Sequence, residues 1–183
     1  VNVMSNTVGT GAPGAINGGG AYLGGDAYVL DSLFLNNSVN GTVNKAGGLY
    51  ASSVVISGTR FIRNQVQQGN GGGDHSGGGL YVANSALVTN SQFLNNTGVY
   101  MSNVRNSNGG GAAFASNQFT LVGCLFQDNA ASFGGGFYSS TGNNSSVSDS
   151  QFIGNLARVD SSAGNGGAIA NTGTGKLRVT NVL

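Results

Sequence analysis

Apolar residues along this chain arrive in short bursts separated by turn-forming sequence, and no helical stripe is sustained anywhere. One burst recurs as small-x-Phe-x-x-Asn: SLFLNN at 32–37, TRFIRN at 59–64, SQFLNN at 91–96, CLFQDN at 124–129 and SQFIGN at 150–155. Its phenylalanines, Phe34, Phe61, Phe93, Phe126 and Phe152, are spaced by 27, 32, 33 and 26 residues. A second burst is a glycine cluster running into an apolar pair: GGGAYL at 18–23, AGGLYA at 46–51, GGGLYV at 77–82, GGGAAF at 109–114, GGGFYS at 134–139 and NGGAIA at 165–170. Each unit therefore predicts two short strands divided by turns.

Aligning the units on Phe exposes columns. Five positions earlier stand Val29, Ile56, Val88, Leu121 and Val147, all aliphatic. Three earlier stand Asp31, Gly58, Asn90, Gly123 and Asp149, types that tolerate a left-handed backbone. Two earlier stand the small residues Ser32, Thr59, Ser91, Cys124 and Ser150. Three later, Asn37, Asn64, Asn96, Asn129 and Asn155 never vary. Val179, Asn181 and Val182 begin a sixth copy, and Val3 with Asn6 reads as the worn tail of an earlier one. The chain is expected to begin and end inside a longer protein.

A period of 26–33 residues with two or three short strands and no helix predicts a parallel β-solenoid of about six coils, one continuous repeat segment over 1–183. Equivalent strands then stack about 4.8 Å apart, like residue above like. The Phe and aliphatic columns form the core, each buried side chain contributing roughly 1.5–3 kcal/mol. The Asn column is expected to hydrogen-bond from coil to coil at a bend. Length varies mainly between each Asn and the next glycine cluster, at 65–76, 97–108 and 156–165, where Asp74, His75, Tyr100, Arg105 and Arg158 lie. In solenoids such inserts project from one face, often the binding face.

Composition narrows the function classes. Only 7% of the 183 residues are charged, the six acids are all Asp, and there are 34 Gly. Ordinary disorder needs low hydrophobicity and high net charge, whereas 39% of this chain is apolar and its net charge is +1. The seven Lys and Arg are scattered singly, which argues against nucleic acid. No apolar run approaches a membrane span, and Cys124, the single cysteine, admits no internal disulfide.

The alternation of glycine clusters with FxxN quartets resembles the repeats of the polymorphic outer-membrane proteins of chlamydiae and related surface proteins. The matching pieces are Gly166-Gly167-Ala168-Ile169, GGLY at 47–50 and 78–81, and the five Phe-x-x-Asn quartets, which together cover nearly the whole chain. The resemblance implies a single-stranded, right-handed parallel β-helix on a large extracellular or outer-membrane-associated protein, often an autotransporter passenger acting in adhesion. Most glycine motifs here carry Gly or Tyr where that family prefers Ala or Ile.

Chemistry is sparse. Six Asp without Glu leave little for a carboxylate pair; Asp31 and Asp149 read as turn residues and Asp128 as solvated. Asp74-His75 is the one acid–imidazole neighbour pair, and glycine on both sides predicts a solvated loop tip, with a weak metal or ligand contact as the alternative. Cys124 reads as a small core residue. Tyr22, Tyr50, Tyr81 and Tyr138 recur beside the glycine clusters. Pointing outward they would form a ladder for stacking on sugar rings, pointing inward they would be core, and the sequence leaves both open. The sequons at Asn36, Asn40, Asn95, Asn143 and Asn144 are about as many as chance supplies.

No catalytic residue, cofactor or metal is expected. The leading expectation is a non-enzymatic surface segment, an adhesive passenger or spacer meeting a host cell, matrix or glycans. A filament subunit joined end to end through sheet edges is the alternative, and a polysaccharide-binding or polysaccharide-cleaving protein ranks third.

Overall fold

Glycine and Asx residues at fixed steps along each period let the backbone turn where a Cβ-bearing chain would run on, and the chain winds into a solenoid accordingly. A computed structural model describes residues 1–9, 15–41, 43–68, 75–98, 107–115, 117–157 and 164–183. Among the described residues every strand pairing is parallel and there is no helix. The result is a parallel β-solenoid of about five turns, slightly fewer than the six the repeat count predicts.

Three faces bound each turn. The first is a six-stranded Phe sheet of Asn2–Met4, Leu33–Leu35, Arg60–Ile62, Gln92–Leu94, Leu125–Gln127 and Gln151–Ile153. Its register sets Phe34 beside Phe61, Phe61 beside Phe93, Phe93 beside Phe126 and Phe126 beside Phe152, with Val3 continuing the column beside Phe34. The second is a nine-stranded sheet built on the long strands Ala21–Leu30, Leu49–Ser57 and Leu80–Thr89. Each long strand bends midway: the register shifts between Leu23 and Asp26 and between Val82 and Ser85, so one strand serves two flat stretches.

The third face is made of short strands. Thr7–Val8, Ser38–Gly41 and Gln65–Gln68 pair in one sheet, and Ala15–Asn17, Val43–Lys45, His75–Ser76 and Ser107–Asn108 in another. A period of this length leaves room for a third strand per coil, but the sequence pattern did not locate these strands. Part of the segment read as a projecting insert is in fact coil wall: Val66 is fully buried and paired with Val39.

Three backbone positions per turn take the left-handed region. One is the predicted turn column, with φ of 45° at Asp31, 48° at Asn90 and 52° at Asp149. A second follows Phe by two residues, where Asn36, Arg63, Asn95 and Asp128 have φ between 52° and 55°. The third opens the glycine cluster, with φ of 68° at Gly109; a Cβ there would overlap the Ala112 carbonyl oxygen.

The core fills the bore. Beside the Phe and aliphatic columns stands a second aromatic group outside the repeat phrase, in which Phe114 stacks on Phe119 at 4.5 Å and Phe137 meets both edge-on. Phe61, Phe93, Phe114, Phe119, Phe126 and Phe137 are each fully buried.

Candidate functional site

The repeated phrase builds an internal spine. Successive rings of the Phe column stack nearly parallel, with centroids 4.9 Å apart for Phe34 and Phe61, 4.9 Å for Phe61 and Phe93, 4.5 Å for Phe93 and Phe126, and 4.9 Å for Phe126 and Phe152. That offset face-to-face packing follows from the strand spacing itself.

Beside it runs an amide ladder. Asn37 Nδ2 donates to Asn64 Oδ1 at 2.9 Å, Asn64 to Asn96 at 3.0 Å, Asn96 to Asn129 at 3.1 Å and Asn129 to Asn155 at 2.9 Å. Each Oδ1 also accepts the backbone N–H of the preceding asparagine, as in Asn64 N–H to Asn96 at 2.9 Å. Each second Nδ2 hydrogen reaches back to a Phe-column carbonyl, Asn96 to Phe61 O at 2.8 Å and Asn129 to Phe93 O at 2.8 Å. A primary amide offers two donors and two acceptor sites, and the interior amides fill all four. Asn37, Asn64, Asn96 and Asn129 are fully buried. The column is a scaffold part.

The small column works similarly. Thr59 N–H donates to Ser91 Oγ at 3.2 Å and Cys124 N–H to Ser150 Oγ at 3.0 Å. Cys124 is 2% exposed, and burial pushes its thiol up to about 11. A thiol so placed stays protonated and unreactive near neutrality.

The tyrosines face outward, opposite the core side of their strands. Tyr22 stacks on Tyr50 at 4.7 Å and Tyr50 on Tyr81 at 5.3 Å. Stacking uses up the ring faces that a sugar would need: Tyr81 is only 5% exposed, and Lys45 Nζ lies over its ring at 4.8 Å. Burial raises the Tyr50 phenol above its ordinary value, Tyr81 and Tyr22 adding to the effect and Lys45 opposing it. Tyr138 stands apart, because Ala113 occupies the intervening coil, and its hydroxyl pairs with Thr172 Oγ1 at 2.7 Å. The ladder is mainly a clamp between coils, with Tyr22, 57% exposed, offering most ring surface.

His75 corrects the sequence reading. It is fully buried rather than at a solvated tip, because its strand His75–Ser76 is inserted between neighbouring coils, His75 against Ser107 and Ser76 against Lys45. Flanking glycines concealed a strand that the coils on either side cover. Asp74, Tyr100, Arg105 and Arg158 lie outside the described residues.

Among the remaining carboxylates, Asp31 and Asp149 hold left-handed corners, Asp149 also accepting Asn181 Nδ2 at 2.6 Å, and Asp128 sits exposed at another corner. Among the described residues no cluster of three His, Cys, Asp or Glu groups exists, and no helix is long and apolar enough to cross a membrane.

Open concavities line the outer surface. A recess of about 190 Å³ lies between Tyr81 and Tyr138, edged by Lys45 and Asn108. A polar one of about 280 Å³ lies at the corner where Gly123 separates Asn90 from Asp149. The largest of the three, about 500 Å³, runs along the second half of the long strands and includes Tyr28 and Leu87. Sequence reasoning missed it, although the two apolar residues stand one position before the aliphatic Val29 and Val88.

The chain matches no family model, no curated protein and no solved structure.

Proposed function

We propose that the chain is a non-catalytic, surface-displayed β-solenoid rod, serving on the outside of a cell as an adhesive passenger or spacer. One observation carries this reading: the recurring side chains are spent on holding coil to coil. Phe stacks on Phe, amide bonds to amide, hydroxyls receive the N–H of the neighbouring coil, and even the outward tyrosines clamp one another. Such a chain is built for stiffness and for presenting flat faces over a length, the properties of a display scaffold. The likeness of its repeats to those of the polymorphic outer-membrane proteins supports the same reading.

Beads coated with the chain test it under flow over epithelial monolayers and matrix-coated glass. Retention above that of beads carrying heat-unfolded chain is expected. Equal retention on every surface would remove the adhesive role.

A further inference from the structure

On the far side of the strand bend from the tyrosine clamp, two outward columns run side by side. Parallel register aligns Tyr28, Val55, Leu87 and Thr120 in one, and Asp26, Ser53, Ser85 and Gln118 in the other. The first is apolar over its first three coils, with Tyr28 78% and Leu87 41% exposed, and ends on Thr120. The second is a row of hydroxyl, amide and carboxylate groups. Between them lies a trough of about 500 Å³, floored by Ala27, Val54 and Ala86. Its volume is within the range of small-molecule and oligomer sites, and its three coil steps span about 14 Å.

We propose that this trough binds a linear, uncharged glycan laid along the solenoid axis. The chemistry selects that occupant. No Lys or Arg lines the trough and Asp26 stands at one end. The nearest cations in these columns, Arg178 and Lys176, lie two coils beyond Thr120 and Gln118. Within the trough itself polyuronates, sulfated chains and nucleic acids therefore meet a carboxylate and no counter-charge. An extended peptide gains little, since the trough lies within the sheet, where the backbone groups of these strands pair with the coils on either side. A sugar chain has the matching two-sidedness: C–H faces for Tyr28, Val55 and Leu87, and hydroxyls for the Ser53, Ser85 and Gln118 row. Its repeat along the chain is close to the coil spacing of about 4.8 Å, so successive units meet successive coils. Unlike the clamped tyrosines, Tyr28 has no stacked ring partner among the described residues. The proposal goes beyond the adhesive reading, and purified polymers rather than cells test it, so either can fail alone.

The experiment is native gel electrophoresis of the intact chain in gels cast with hydroxyethyl cellulose, galactomannan, alginate or no polymer. Retardation by a neutral polymer is expected, unchanged by added salt, with none beyond the blank in alginate. Tyr28→Ala should weaken binding about tenfold or more and Leu87→Asn by less, while Tyr22→Ala leaves it unchanged. Both trough positions are exposed, so far-UV circular dichroism should match the parent. Absence of retardation in both neutral polymers, equal retardation in alginate, or parental binding by Tyr28→Ala would each overturn the assignment. Concentration-dependent sedimentation of the parent that Tyr28→Ala abolishes would overturn it too, assigning the trough to a second copy of the chain.

Discussion

Asn64 gives Asn96 two hydrogen bonds: its backbone N–H at 2.9 Å and its side-chain amide at 3.0 Å both donate to Asn96 Oδ1. Asn96 in turn donates to Phe61 O and to Asn129 Oδ1. Replacing it by Ala leaves several buried polar groups without partners at once, at about 1–3 kcal/mol each before relaxation. Asn96→Ala should therefore lose on the order of 3 kcal/mol in urea unfolding, against almost none for the exposed Gln92→Ala. A loss below about 1 kcal/mol would mean that water replaces the amide and the ladder is no buried spine.

Cys124 predicts an alkaline transition. Folded, the thiol keeps its proton to about 11, whereas its ordinary value is 9.0. Between those values the unfolded chain binds fewer protons than the native one, so stability falls as pH rises through the window, by about 2–3 kcal/mol in all. Below pH 9 the contribution is fully present. Cys124→Ser should be nearly neutral at pH 7, because serine fills this column in other coils, and should flatten the slope between pH 9 and 11 relative to the parent. Identical slopes would place the thiol in water.

Arg63 sits at an exposed corner with φ of 52°, in the column where Asn36, Asn95 and Asp128 stand. A left-handed backbone costs a residue such as Arg roughly 1–2 kcal/mol, and Asn less, because its short side chain bonds locally. Arg63→Asn should raise stability by about 0.5–1 kcal/mol, read as a higher Tm in calorimetry. A lower Tm would show that the arginine makes a contact outweighing its strain.

The sequence made legible whatever repeats with each coil. Phe34 to Phe152 and Asn37 to Asn155 stand out because stacking places identical demands on every turn, and so does the left-handed column of Asp31 and Asn90. The rest depended on neighbours in the stack. His75 reads as a loop tip because burial comes from coils about thirty residues away in sequence, not from its own glycine-rich surroundings. The tyrosines could be assigned to neither face, since the apolar pair after each glycine cluster reads as a short strand without alternation, whereas Tyr22, Tyr50 and Tyr81 stand in strands of nine or ten residues. Tyr28 and Leu87 drew no notice because a bend inside their long strands, visible only as a register shift, divides one strand into two faces. The Val39 and Val66 column shrinks to Gly98, Ala131 and Ala157 in later coils, and so left no periodic signal.

Every amide link in the ladder points the same way, from Asn6 to Asn37 and onward to Asn155. The spine thus has a head and a tail, with the donor of every amide-to-amide bond facing the later coil. Excising or duplicating one whole period would rejoin donor to acceptor and ring to ring, whereas a splice out of phase would set a phenylalanine against an amide. The spine can then change length only by whole coils, while the segments between each Asn and the next glycine cluster vary in length without disturbing it. The molecule is a ruler graduated in steps of about 4.8 Å, and whatever it presents can be moved along that scale one mark at a time.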